Sequence, residues 1–228
     1  QTEMKLADLE SIQKRLDKKN KKNFSKEQIA ILETALSFIN NDQKIEEIYS
    51  LFEKREIEIS GLLSLKPSLY VCNVDEESIK TGNIYTKKFI EKYGDKNTII
   101  ISAEIESQIN SFNNIEKKNY MEMLGIKEPG IKKLTNKGYN LLNLETFFTS
   151  GPEESRAWTI KKNSLAPSAA GKIHTDFEKG FIKVETVSYQ DFVDNNGWVN
   201  SKNNGKMRLE GKEYVIKDGD VLNFRFNT

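Results

Sequence analysis

Apolar residues recur at steps of three and four along the first sixty positions. Leu6, Leu9, Ile12 and Leu16 form one set, Ile29, Leu32, Leu36 and Ile39 a second, and Ile45, Ile48 and Phe52 begin a third. Such spacing lines up each set on one side of an α-helix. The polar stretches KRLDKKNKKN and NNDQ separate the sets, and Ser25 with Gln28 three residues later forms a capping-box pattern at the start of the second. The pattern predicts two or three antiparallel helices joined by short links, a hairpin or coiled-coil arm over residues 1–65.

After Pro67 the period changes. SLYVCN is a near-continuous apolar run of the kind that forms a strand buried on both faces. IYTKKFIEKYG is amphipathic and ends at Gly94, a helix C-cap, and NTIIISAEIES is a second apolar strand running into a helix start. This order predicts a parallel sheet with helical crossovers over residues 66–143. It is followed by helices in NNIEKKNYMEMLG and in EPGIKKLTNKGYNLL, the second with Pro129 near its start. In residues 144–228 the runs LETFFTS, RAWTI, FIKVETVSY, EYVI and DVLNFRF read as short strands. SAAGKIHTDFEKGF reads as one main helix among them, with Trp158, Phe177, Phe181, Phe224 and Phe226 in the core. The fold class expected is α/β, α+β over the chain as a whole.

Charge narrows the range of partners. With 35 Lys and Arg against 34 Asp and Glu in 228 residues, the chain has no overall basic field, so nucleic acid could be held only by a local patch. Lys18, Lys19, Lys21 and Lys22 supply one near a turn of the arm, where they pack against nothing the pattern identifies. They form either a solvated loop or a phosphate-contacting tip. The single cysteine, Cys72, excludes an intramolecular disulfide. There is also no run long and apolar enough for a membrane span, and the start lacks a signal-peptide layout. Together these predict a cytoplasmic protein without membrane contact.

Candidate chemistry gathers where the two apolar strands end. Asn73-Val74-Asp75-Glu76 follows the first, and Ser102-Ala103 the second. Ligands of α/β sheets sit outside the carboxyl ends of the strands. An asparagine amide there can pair with the N7 edge of a purine, and a carboxylate three residues on can accept from ring N–H groups if it points back. The usual guanine-reading turn is Asn-Lys-x-Asp. Here Val74 stands for the lysine and Glu76 for the aspartate, which weakens strict guanine selectivity. An Asx-turn at a strand end is the structural alternative. No G-x-x-x-x-G-K-[ST] phosphate cradle occurs: Gly171-Lys172-Ile173 lacks both the leading glycine, replaced by Ala166, and the hydroxyl that would hold Mg²⁺. His174, the only histidine, has no nucleophile motif beside it and reads as structural, at a loop–helix junction or on a binding face.

Taken together, NVDE after a buried strand, ISAEIE, LGIKEPGIKKLTNKGYNLLNLETFFTSGPEESRAWTI and its continuation to VSYQDF, and GKMRLEGKEYVIKDGDVLNFRFN resemble the Obg-like ATPase family in its bacterial YchF branch. The likeness is densest from about residue 124 onward. It implies a helical arm (1–65), the C-terminal part of a P-loop nucleotide-binding α/β domain (66–143) and a TGS domain of ubiquitin-like β-grasp fold (144–228). On that resemblance the chain starts inside the arm. The P-loop, the switch regions, the Mg²⁺ ligand and every catalytic residue then belong to a preceding segment, and the chain alone is inactive. The resemblance also implies ATP or GTP with Mg²⁺ in the complete protein and a ribosome or RNA partner. Asn73 would meet the base, Val74 would contact it, including through its backbone, and Ser102 and Ala103 would close the pocket. Glu76 would mark the altered specificity without necessarily touching the base. The alternative is a freestanding adaptor that binds RNA or protein and no nucleotide.

Overall fold

The computed structural model describes residues 2–18 and 20–227, which divide between two compact units, Gln1–Ser68 and Leu69–Thr228. In the first, helices α1 (Thr2–Leu16) and α2 (Lys26–Asn40) pack together, and α2 opens with the expected capping box. The Gln28 N–H donates to Ser25 Oγ and the Ser25 N–H to Gln28 Oε1, both at 3.1 Å. The third apolar set does not begin an α-helix. Ile45–Ser50 winds as a 3₁₀ helix, and α3 (Lys54–Ser60) follows, closed by Gly61 at φ 68°. Ile45 and Ile48 are three apart, the repeat of a 3₁₀ turn, and both are buried with Ile12, Leu32, Ala35 and Ile57.

One buried carboxylate joins the ends of this unit. Asp8, on α1 and 2% exposed, accepts the N–H groups of Leu63 (2.7 Å) and Ser64 (2.8 Å) and also the Ser64 hydroxyl. It satisfies the free donors at the start of a further 3₁₀ turn, Leu63–Leu65. Arg15 supplies a second tie, Nη1 donating to the Ser60 carbonyl at 2.5 Å.

The second unit begins with β1 (Tyr70–Asn73), α4 (Ile84–Tyr93), β2 (Thr98–Ile101), α5 (Ala103–Ser111), α6 (Asn114–Leu124) and α7 (Gly130–Leu141). β1 and β2 pair in parallel, Tyr70 opposite Thr98 and Asn73 opposite Ile101. α4 ends at Gly94, as its sequence indicates. β1 is not buried on both faces as its apolar run suggests. It alternates half-buried and exposed, with Val71 44% exposed. Among the described residues β1 pairs with one strand, β2. Tyr70 rests on Phe89 and Tyr93 of α4, ring centres 5.3 and 5.5 Å apart.

The chain continues through β3 (Leu144–Ser150), β4 (Ser155–Lys161), α8 (Ala166–Ile173), α9 (Thr175–Lys179), β5 (Phe181–Ser188), α10 (Tyr189–Asp194), α11 (Trp198–Asn203), β6 (Arg208–Glu210) and β7 (Asp220–Phe226). The strands form one mixed sheet in the order β4-β3-β7-β5-β6, with β3 and β7 parallel and the other pairs antiparallel. Small residues on α8 (Ala166, Ala169, Ala170) let it lie close against Phe147, Val184 and Leu222. Phe181 and Phe224 are buried there too, and Trp158, Phe177 and Phe226 pack at the margin.

Three expectations for this region change. The single helix splits at His174, whose extended backbone (φ −157°) ends α8 and caps α9. EYVI is not a strand: only an isolated bridge joins Val215 to Leu165. The helices α10 and α11, which no long apolar stripe announces, lie between β5 and β6; Ser188 starts α10 by accepting the Asp191 N–H at 3.2 Å.

Candidate functional site

The parallel pairing of β1 and β2 ends both strands at the same level, with Asn73 opposite Ile101. The ladder runs one step further, the Val74 N–H donating to the Ile101 carbonyl at 2.9 Å. Across this junction Asn73 Oδ1 accepts the Ala103 N–H, also at 2.9 Å. Because an N–H can donate only to the amide oxygen, this contact fixes which way the amide faces. What Asn73 has left to offer is Nδ2, a pair of donors.

The neighbouring residues take roles that the sequence leaves open. The Asx-type turn belongs to Asp75, whose Oδ1 accepts the Ser78 N–H at 3.0 Å, so Asn73 is free to bridge the strands. The Val74 side chain is 8% exposed and part of the core, which leaves its backbone as the part nearest the strand ends. Ser102 is 1% exposed, and its hydroxyl accepts the Ile105 N–H as the N-cap of α5. It therefore shapes the turn. Ala103 is exposed, with its N–H given to Asn73.

Glu76 is exposed and lines a groove of about 470 Å³ with Glu77, Lys80 and Met123; Asn73, Ser102 and Ala103 do not line it. Burial, and then the Glu76 and Glu104 carboxylates, push the Tyr120 phenol above its ordinary value. Tyr120 donates its hydroxyl to Gln108. The junction thus presents one amide donor pair, at Asn73. It suits a planar ligand with an acceptor on its edge, such as purine N7, which adenine and guanine share.

A further residue escaped sequence reasoning. Glu106 on α5 accepts the N–H groups of Gly130 (2.5 Å) and Ile131 (3.2 Å) at the start of α7. The signal was present as Pro129-Gly130, a helix start with no side chain of its own able to cap it.

The lysine-rich turn is less uniform than its sequence. Lys18 and Lys22 are exposed, and Lys21 is paired with Glu33 of α2 at 2.7 Å. Lys19 lies outside the described residues. Lys21 is therefore not equivalent to Lys18 and Lys22, because α2 presents a carboxylate to it. His174 is exposed, and its Nδ1 accepts the Asp176 N–H at 3.2 Å, a capping role. Gly171-Lys172 lies inside α8, far from the geometry of a phosphate loop. No helix among the described residues is long and apolar enough to cross a membrane.

Comparison with known proteins extends these observations. Residues 144–227 match a family model named YchF-GTPase_C and described as a protein of unknown function (DUF933). The chain is 40% identical over 234 aligned residues to the ribosome-binding ATPase YchF of Escherichia coli O157:H7, covering 99% of this chain and 64% of that protein. It is 41% identical over 235 residues to the protein of the same name from Bacillus subtilis strain 168, with the same coverage. The chain therefore spans just under two thirds of the length of these curated relatives. Among solved structures it resembles the Schizosaccharomyces pombe YchF GTPase, with TM-score 0.76 and 32% identity over 98% of this chain and 63% of that one. A GTP-binding protein from Pyrococcus horikoshii OT3 shares the fold, with TM-score 0.59 at 18% identity.

Proposed function

Since the chain belongs to the YchF family, we propose that it supplies the base-reading end of a purine nucleotide site in a ribosome-associated ATPase or GTPase. The phosphate-holding elements would lie in a different segment of the protein. The observation that carries this reading is the Asn73–Ala103 bridge. It joins two parallel strand ends, the place where α/β sheets bind ligands, and leaves an oriented amide donor on the surface.

The bridge also bears on selectivity. An Ala103 N–H given to Asn73 is not available to donate to guanine O6, whereas the Asn73 Nδ2 serves N7 of either purine. This agrees with relatives named as ATPases. Residues 144–228 would form the TGS-type β-grasp, and the helical unit an arm whose tip, at Lys18 and Lys22, contacts RNA phosphates. Residues 66–143 would complete the nucleotide domain.

Photolabelling with 8-azido-ATP tests the base site in the full-length protein. Adducts should map to peptides containing residues 73–76 and 102–104, and competition by unlabelled ATP should remove them. Labelling confined to other peptides would refute the assignment. The 228-residue chain alone, which carries no phosphate-cradle sequence, should release phosphate from ATP or GTP with Mg²⁺ at the buffer rate. Turnover that persists through further purification would count against the proposed division of labour.

A further inference from the structure

Helix α7 is anchored along its length by groups from other elements of residues 69–228. At its start the Glu106 carboxylate takes two backbone donors, as described above. Gly130 is pressed against the end of β2. A Cβ there would lie 2.8 Å from Ile101 Cγ2 and 2.9 Å from Glu106 Oε1. Ile101 is the register partner of Asn73, and Glu106 sits in the first turn of the helix that begins at Ala103. The start of α7 is therefore built onto the same two turns that hold the Asn73–Ala103 bridge.

Midway, Lys137 Nζ donates to the carbonyls of Asp95 (3.3 Å), Lys96 (3.1 Å) and Thr98 (2.8 Å), fixing α7 to the entry of β2. At the far end the contacts are with the C-terminal sheet. The Tyr139 hydroxyl lies 3.1 Å from Thr159 Oγ1 on β4, Lys161 Nζ donates to the Leu142 carbonyl at 3.0 Å, and the Lys162 N–H donates to Asn143 at 2.8 Å. Hydrogen bonds from Thr159 and Thr146 hold the Tyr139 phenol below its ordinary pKa.

We propose that α7 couples the base turn to the C-terminal sheet, with Glu106 and Tyr139 as the positioning residues at its two ends. The proposal rests on the reading that a nucleotide base occupies the Asn73–Ala103 turn. A base held by Asn73 orders that turn and with it Glu106, the start of α7, and the β3–β4 hairpin on which α7 ends. The coupling works through shared ordering of a continuous set of contacts and needs no large displacement. By linkage it is reciprocal: a partner that orders β3–β4 tightens nucleotide binding by the same factor.

Amide hydrogen exchange of the full-length protein, with and without a non-hydrolysable ATP analogue, tests the coupling. In the wild type, bound analogue should slow exchange across residues 144–161 by roughly fivefold or more, the low end of typical coupling. Glu106→Ala should abolish most of that protection while analogue still binds, and Glu106→Gln, which keeps one acceptor, should restore part of it. Tyr139→Phe removes one hydroxyl at the opposite end and should give the same loss without touching the base turn, so the test stands even if Glu106→Ala folds poorly. Analogue binding to the wild type without protection of residues 144–161, or protection undiminished in both Glu106→Ala and Tyr139→Phe, would overturn the coupling alone. Failure of the wild type to bind the analogue would overturn the base-site reading and this proposal with it.

Discussion

Asn73 and Asp8 show how far a single polar side chain can reach beyond its own sequence neighbourhood. Asn73 attracts notice because it ends an apolar strand run, and the structure keeps it at the junction. Its partner, the Ala103 N–H, is thirty residues away, and no local rule selects it. Asp8 gave no signal at all. It sits between Leu6 and Leu9 of an amphipathic helix, and its partners are Leu63 and Ser64, fifty-five and fifty-six residues on. Replacing Asp8 by Ala removes the acceptor of those donors and should destabilise the helical unit by about 1–2 kcal/mol. Denaturant unfolding followed by circular dichroism measures this. A midpoint unchanged from wild type would show that the carboxylate contributes nothing to the fold. Tyr214 offers a parallel case, donating to Asp220 at 2.8 Å, with burial first and then that carboxylate pushing its pKa far upward. Tyr214→Phe should cost about 1–2 kcal/mol, because the buried Asp220 loses one of its donors.

At the scale of elements, caps and periodicity were the most legible features. Ser25 with Gln28 and the terminal Gly94 mark real helix boundaries because those signals are local backbone chemistry. The departures arise where tertiary contacts decide. Ile45 and Ile48 wind as a 3₁₀ turn, since both must enter the same small core within one turn. EYVI runs beside α8 without a strand partner beyond one bridge. β1 reads as fully buried, yet among the described residues it pairs with one strand, and Val71 is exposed. The start of α7 could have been read from Pro129-Gly130, but its cap comes from a different helix. Gly130→Ala therefore should destabilise the protein by roughly 1–3 kcal/mol, despite the better helix propensity of alanine, because the added methyl meets Ile101 and Glu106. A melting temperature equal to or above wild type would contradict this packing.

At the scale of the whole molecule, near-neutral charge makes any RNA contact a local affair, and the candidate tip is smaller than its lysine count. With Lys21 paired to Glu33, replacing Lys18, Lys19, Lys21 and Lys22 by Ser should flatten the dependence of log RNA affinity on log salt by about one to two units, at ~0.7 per lost single-strand phosphate contact. An unchanged slope, with helicity intact by circular dichroism, would return these lysines to a solvated loop. At the strand-end junction one substitution isolates the role of Asn73. Asn73→Asp preserves the Oδ1 acceptor that holds the Ala103 N–H and removes the amide donors offered to a purine. Calorimetric titration of the full-length protein with ATP, comparing wild type, Asn73→Asp and Glu76→Ala, separates the roles. Asn73→Asp should weaken binding by on the order of tenfold or more, 1–3 kcal/mol for a lost base contact, with little change for Glu76→Ala. ATP affinity unaltered by Asn73→Asp, in a protein whose melting temperature is also unaltered, would contradict the claim that Asn73 reads the base.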